Sequence, residues 1–173
     1  NCPQCEGNGS QRENQELTIR VIPGVYTGLS IRHTGMGDMG GPGAPLGDLF
    51  IVIEVQPHAV FKRDGADTYA TVPVPYPVMV LGGEVSIPTV HGEETMEVPA
   101  GTESSATFVH RGKGIAHVRH PQQRGDHHVR VVVDVPTTLS DEQEEAVRRL
   151  ADVLEVGVGE KGFWKGLFEK ITG

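Results

Sequence analysis

At 173 residues, with 37% apolar and 22% charged side chains, the chain is long enough for one hydrophobic core or two small ones. A net charge of −8 excludes the basic face that nucleic acid demands, so no nucleic-acid partner is expected, and no apolar run approaches the roughly 18 residues of a membrane span, so no membrane partner is expected either. The 23 glycines and 12 prolines favour short strands joined by tight turns over a helical bundle.

The chain opens on Cys2-Pro3-Gln4-Cys5-Glu6-Gly7-Asn8-Gly9, a CxxCxGxG pattern. Two thiolates at this spacing form one jaw of a tetrahedral zinc site, and the glycines let the backbone turn around the ion. Cys2 and Cys5 are therefore the candidate metal ligands, but the chain holds no further cysteine to close the site. Since it also starts at Asn1, the segment reads as a piece of a longer protein. A lone CxxC fits a reducing compartment better than a disulfide framework. Thiol–disulfide exchange is the alternative, without the βαβ context such sites sit in.

Residues 17–22 alternate Leu17, Ile19 and Val21 with Thr18, Arg20 and Ile22, which predicts a half-buried strand stopped by Pro23-Gly24. A second short strand spans 30–34, and the glycine- and proline-rich stretch 35–47 is a loop. The strongest strand covers 48–55, with Leu49, Ile51, Ile53 and Val55 on one face and Pro57 closing it. Further strands are expected at 68–74, 84–87, 95–98, 107–110 and 127–135. Two helices finish the chain. Ser140 and Gln143 make a capping box for the first, with Asp141 and Glu142 at its positive end. Ala146, Val147, Leu150, Val153 and Leu154 form its apolar stripe, and Gly157 and Gly159 are expected to end it. The second, 163–171, exposes Phe163, Trp164, Leu167, Phe168 and Ile171. So short a helix needs a partner surface, either its own domain or a second copy of the chain.

An internal repeat organises the middle of the chain. Ile31-Arg32-His33-Thr34-Gly35-Met36-Gly37 resembles Phe108-Val109-His110-Arg111-Gly112-Lys113-Gly114, and Gly47-Asp48 is echoed by Gly125-Asp126. Two similar β-domains in tandem are the simplest account. The repeat puts Asp48 and Asp126 in separate domains, so turn-capping is a better reading than a catalytic carboxylate pair. His110, His117, His120, His127 and His128 invite a metal reading, yet His127 and His128 are adjacent on a strand and point to opposite faces. Solvated strand and loop histidines are the expectation. No nucleophile–base–acid set and no phosphate loop is visible, so the chain is not expected to be an enzyme.

Taken in order, CPQCEGNG, LTIRVIPGVYTG, GAPLGDLFIVIEVQPHAVFKRDG, LGGEVSIPTVHGE, RGKGIAHVR, RGDHHVRVVVDVPTTLSDEQ and KGFWKGLFEKI resemble the C-terminal half of the DnaJ co-chaperone family, in its zinc-containing class. The resemblance covers almost the whole chain; the J-domain, the Gly/Phe-rich linker and three of the four cysteine repeats have no counterpart in it. It implies a mostly-β fold of two tandem, similar, small β-sandwich-like domains followed by C-terminal α-helices. Residues 1–10 would be the remnant of the zinc-binding domain, 11–58 an incomplete first β-domain, 59–136 the second, and 137–173 a helical dimerisation segment. It implies a cytoplasmic co-chaperone region that binds unfolded or hydrophobic polypeptide clients by strand addition and an apolar pocket, in a family tied to protein folding, stress response and DNA replication. Leu17 and Ile51 match family pocket positions, with Ile19 beside Leu17 on the same predicted strand. Zinc would be bound in the intact parent, and a DnaK-type chaperone would be engaged through the J-domain. Phe163, Trp164, Leu167 and Phe168 would carry a homodimer contact. The alternative is a structural assembly module that dimerises without holding clients.

Overall fold

The computed structural model describes residue 14, residues 16–41 and residues 43–158. The fold is β-rich with a C-terminal helix, and its contacts separate two units, Asn1–Val133 and Asp134–Gly173.

In the first unit, β1 (Ser30–His33) and β2 (Leu49–Val52) pair antiparallel as a two-stranded sheet. A hairpin follows, β3 (Lys62–Asp64) and β4 (Asp67–Pro75), turning at Gly65. A short helix, α1 (Tyr76–Leu81), leads into a second hairpin, β5 (Gly83–Thr89) and β6 (Gly92–Val98). Then β7 (Thr107–His110) and β8 (His127–Asp134) complete a four-stranded sheet in the order β3-β4-β8-β7.

Period-two alternation builds the core. Thr68, Ala70, Val72 and Val74 of β4 are buried, while Tyr69, Thr71, Pro73 and Pro75 face outward. Val72 and Val74 join Met79 of α1, Ile87 of β5, Met96 and Val98 of β6, and Val129 and Val131 of β8 in one cluster. Each such side chain contributes about 1.5–3 kcal/mol by leaving water. Pro73 is tolerated because β3 pairs only with Asp67–Tyr69, so no β3 ladder is lost there. Pro77 sits in the first turn of α1, where an amide N–H has no intrahelical partner to lose.

The internal repeat is present at the level of single hydrogen bonds. Gly35 and Gly112 take φ of +72° and +69°, and each donates its N–H to an aspartate: Gly35 to Asp48 Oδ1 at 3.0 Å, Gly112 to Asp126 Oδ1 at 2.9 Å. Both aspartates therefore cap turns. Gly37 N–H meets Gly47 O at 2.8 Å and Gly114 N–H meets Gly125 O at 2.8 Å. Gly28, at φ +92°, donates to Ile53 O at 2.9 Å, and Ser105, at φ +77°, donates to Val131 O at 2.8 Å. A serine thus holds a left-handed position that glycine holds in the other copy. Ser105→Gly is expected to raise stability by about 0.5 kcal/mol, the relief of left-handed strain outweighing the entropy glycine adds to the unfolded chain. Urea titration followed by circular dichroism measures it; a clear loss of stability would mean the Arg130 hydrogen bond to Ser105 Oγ matters more than the strain.

Three expectations are corrected. Residues 17–22 form no strand: Leu17 and Ile19 are half-buried and Val21 is exposed, so the segment alternates without a ladder partner among the described residues. The 48–55 strand is shorter, ending at Val52, with Val55 exposed, although Ile53 still donates its N–H to Leu29 O at 2.9 Å. His127 is not solvated: it is 0% exposed. β3 is an element the sequence did not announce.

In the second unit, α2 (Asp141–Val153) starts as expected. Gln143 N–H donates to Ser140 Oγ at 3.2 Å, and Ser140 N–H to Gln143 Oε1 at 2.9 Å. It ends before the glycines. Val156 N–H donates to Ala151 O at 2.9 Å and Glu155 N–H to Asp152 O at 3.1 Å, with Glu155 at φ +56°. This is a Schellman closure with glutamate where glycine is usual. Ala151 is buried, whereas Val147, Leu150, Val153 and Leu154 are exposed.

Candidate functional site

The candidate site is the first sheet. The register pairs Ile31 with Ile51 and His33 with Leu49, which puts these four side chains on one face, all half-buried. Ser30 and Arg32 pair with Val52 and Phe50 on the opposite face. There Phe50 is 60% and Val52 68% exposed beside Ser30 and Arg32, so β2 is apolar on both of its faces. Arg32 forms an ion pair with Asp48 across the sheet's end, its Nε donating to Asp48 Oδ2 at 2.7 Å. That exposed pair contributes at most about 1 kcal/mol.

Two features of the sheet bear on binding. The first is an edge. β2 corresponds by the repeat to β8, and β8 carries β4 on the side away from β7. The matching edge of β2 has no strand partner among the described residues. The repeat offset, from Gly35 to Gly112, puts the counterpart of β4 before residue 1, so this is the edge that a preceding strand would take. The second is a polar atom. Nε2 of His33 is buried without a hydrogen-bond partner among the described residues, on the face it shares with Ile31, Leu49 and Ile51. Such an orphan is costly unless a ligand or water meets it.

Of the residues singled out from sequence, Ile51 lies on this face of β2, while Leu17 and Ile19 lie half-buried in the unpaired segment before the Pro23-Gly24 turn. Cys2, Cys5, Phe163, Trp164, Leu167 and Phe168 lie outside the described residues. No group of three or more His, Cys, Asp or Glu side chains is arranged for a metal ion among the described residues. No described helix is long and apolar enough to cross a membrane. Sequence reasoning missed His33, whose signal was available: it shares the phase of Ile31 on a short strand, so a polar ring had to enter an apolar face.

The histidines divide by environment. His127 Nε2 faces Pro88 O at 3.1 Å, and a carbonyl can only accept, so Nε2 carries the hydrogen. Nδ1 then accepts from the Thr68 hydroxyl at 2.8 Å, and the ring is neutral. Burial pushes its pKa below the ordinary 6.5. His128 points the other way and stacks on Tyr69 with centroids 4.6 Å apart. The Lys113 ammonium, hydrogen-bonded to Glu94, holds that carboxyl below its usual range.

Comparison with known proteins agrees with this architecture. The family model described as the DnaJ C terminal domain matches residues 4–136. The chain is 38% identical to a "Chaperone protein DnaJ" of Desulfitobacterium hafniense over 172 residues, covering 98% of this chain and 45% of that protein. It is 40% identical to one from Streptococcus agalactiae over 173 residues, covering 98% and 44%. A third, from Halalkalibacterium halodurans, is 39% identical over 152 residues, covering 88% and 41%. The chain thus spans less than half the length of these relatives.

Proposed function

The chain belongs to the DnaJ C terminal domain family, and from that premise we propose that it is the region of a co-chaperone that holds unfolded polypeptides for delivery to a DnaK-type chaperone. An extended client segment is held by strand addition, and its Leu, Ile or aromatic side chains enter the face carrying Ile51, with Leu17 and Ile19 as further apolar contacts. Support for this reading comes from β2, whose Leu49 and Ile51 share one face while Phe50 and Val52 stand exposed on the other. The work is binding and release, with no bond made or broken, so no catalytic residue is assigned.

The two-domain division at about residue 58 and the zinc site belong to the same proposal. Cys2 and Cys5 would supply two of the four donors that a tetrahedral zinc needs, the others coming from elsewhere in the parent protein. Zinc would tie the segment before residue 10 into a closed module. Pairing of two copies is supported by the exposed Val147, Leu150, Val153 and Leu154 on α2, and Phe163, Trp164, Leu167 and Phe168 would extend that contact. The reading places the protein in the cytoplasm.

The test is fluorescence anisotropy of a labelled, extended, Leu-rich peptide titrated with the chain. Saturable binding is expected. Ile51→Ser, with folding verified by circular dichroism, should weaken it roughly 10- to 100-fold, the equivalent of about 1.5–3 kcal/mol of lost apolar burial. No binding by a folded, dimeric wild-type chain would remove the client-holding reading and leave an assembly module.

A further inference from the structure

A concave surface that Ile51 does not line forms where three segments meet: the turn 24–29 of the first repeat, the β3–β4 hairpin turn, and the arm 116–120 of the second repeat. It encloses about 630 Å³, within the range of a peptide side-chain or small-ligand site. Its walls are pre-built. The Arg63 guanidinium donates to Val25 O at 2.6 Å, Gly24 O at 2.8 Å and, through Nε, to Gly65 O at 2.8 Å. One side chain therefore clamps the turn onto the hairpin. Gly24, at φ +86°, closes the other join: a Cβ there would lie 2.0 Å from Ala116 O, so only glycine lets turn and arm meet this closely.

The lining combines two chemistries. Tyr26, Leu29 and Val118 offer apolar surface, with Tyr26 half exposed. Arg63 and Arg119 supply N–H donors and positive charge, His117 and His120 add ring nitrogens, and no carboxylate lines the cleft. In a chain of net charge −8 this is a local reversal of sign. Arg119, His117 and His120 make no ion pair among the described residues. An anion arriving here would meet unspent donors beside an apolar floor.

We propose that this cleft binds an extended polypeptide segment in which Asp or Glu side chains flank an apolar residue, the apolar side chain against Tyr26, Leu29 and Val118 and a carboxylate on Arg119. The inference rests on the client-holding reading and adds a charge preference to it. It gives the region two unlike sites: an apolar sheet face and a cationic-rimmed cleft.

The experiment uses the full chain and three labelled peptides with the same apolar core, flanked by Glu, by Lys or by Ser. The Glu-flanked peptide is expected to bind about tenfold more tightly than the Lys-flanked one, a preference that narrows as salt rises. Arg119→Glu, an exposed change, should erase the preference and leave the Ser-flanked peptide unaffected. Ile51→Ser should weaken the Ser-flanked peptide and keep the Glu-over-Lys ratio. Equal binding of the Glu and Lys peptides, or a preference that survives Arg119→Glu, overturns the proposal while client holding stands. No binding of any peptide removes the client-holding reading itself. A wild-type dimer in sedimentation that Arg119→Glu dissociates overturns the proposal in favour of a second copy as occupant.

Discussion

Replacing His127 by alanine is expected to destabilise the first unit by about 3 kcal/mol, a large share of the 5–15 kcal/mol that folded domains of this kind possess. Three losses add. The ring is fully buried, so its removal leaves a cavity. The Thr68 hydroxyl and the Pro88 carbonyl each lose a hydrogen-bond partner inside the protein. The edge of the His127 ring's contact with Phe61, at 5.8 Å between centroids, disappears as well. Thr68→Val isolates one of these terms, leaving Nδ1 buried without a donor, and should cost about 1–2 kcal/mol. Urea titration with circular dichroism reads both. A loss under about 1 kcal/mol for His127→Ala would mean that water fills the space and restores the hydrogen bonds.

The same ring carries a pH signature. Its folded-state pKa is depressed below 6.5 by burial. Above pH 6.5 the ring is neutral in both states and its contribution is fully present. As pH falls below 6.5 the unfolded chain binds a proton that the folded one refuses, so stability is lost at up to about 1.4 kcal/mol per pH unit until the folded-state pKa is reached. His127→Gln should flatten that limb of the stability profile. An unchanged slope would mean that other groups carry it.

The position of His127 could have been read from the strand's parity. It shares its phase with Val129 and Val131, which the alternation of β8 sends into the core, so the apolar pattern already reached back to a histidine. Treating all five histidines by residue type obscured this. The 17–22 segment fails in the opposite way. Its alternation does record burial, since Leu17 and Ile19 are half-buried, but strand pairing needs a partner that local sequence does not specify. β3 carries only Lys62, Arg63 and Asp64, all exposed, and owes its ladder to the Gly65 turn and to β4. The repeat was legible because it rests on residue types that backbone geometry restricts: a glycine at positive φ, a second glycine under a neighbouring carbonyl, and an aspartate that caps. The cleft beside Arg63 was not legible, because three segments distant in sequence form it and none has a motif of its own.

The second glycine of each Gly-x-Gly gives the sharpest test of that repeat. A Cβ at Gly114 would lie 2.6 Å from Ala66 O, 2.7 Å from Asp126 O and 2.7 Å from Gly125 C. All three are backbone atoms, so no side chain can swing aside. Gly114 also joins three parts of the unit. Ile115 N–H donates to Ala66 O at 2.8 Å, the His91 ring at the β5–β6 tip meets Gly114 O at 3.0 Å, and Gly114 N–H holds Gly125. Gly114→Ala is therefore expected to cost about 3 kcal/mol and to speed amide exchange at Thr68, whose N–H donates to Asp126 O. Gly37→Ala meets Asp48 O at 2.7 Å in the first repeat and should cost about 2 kcal/mol, with faster exchange confined to residues around Gly35 and Gly47. Gly40→Ala, whose Cβ would enter open space, should be close to neutral. Equal effects at all three would mean that contact with the neighbouring backbone does not set the cost. The expected ranking makes the Gly-x-Gly signature a requirement of backbone packing in both copies, with no phosphate or cofactor needed to explain it. The same packing holds the arm 116–120 against the turn at Gly24, so Gly114→Ala should also weaken the Glu-flanked peptide more than the Ser-flanked one.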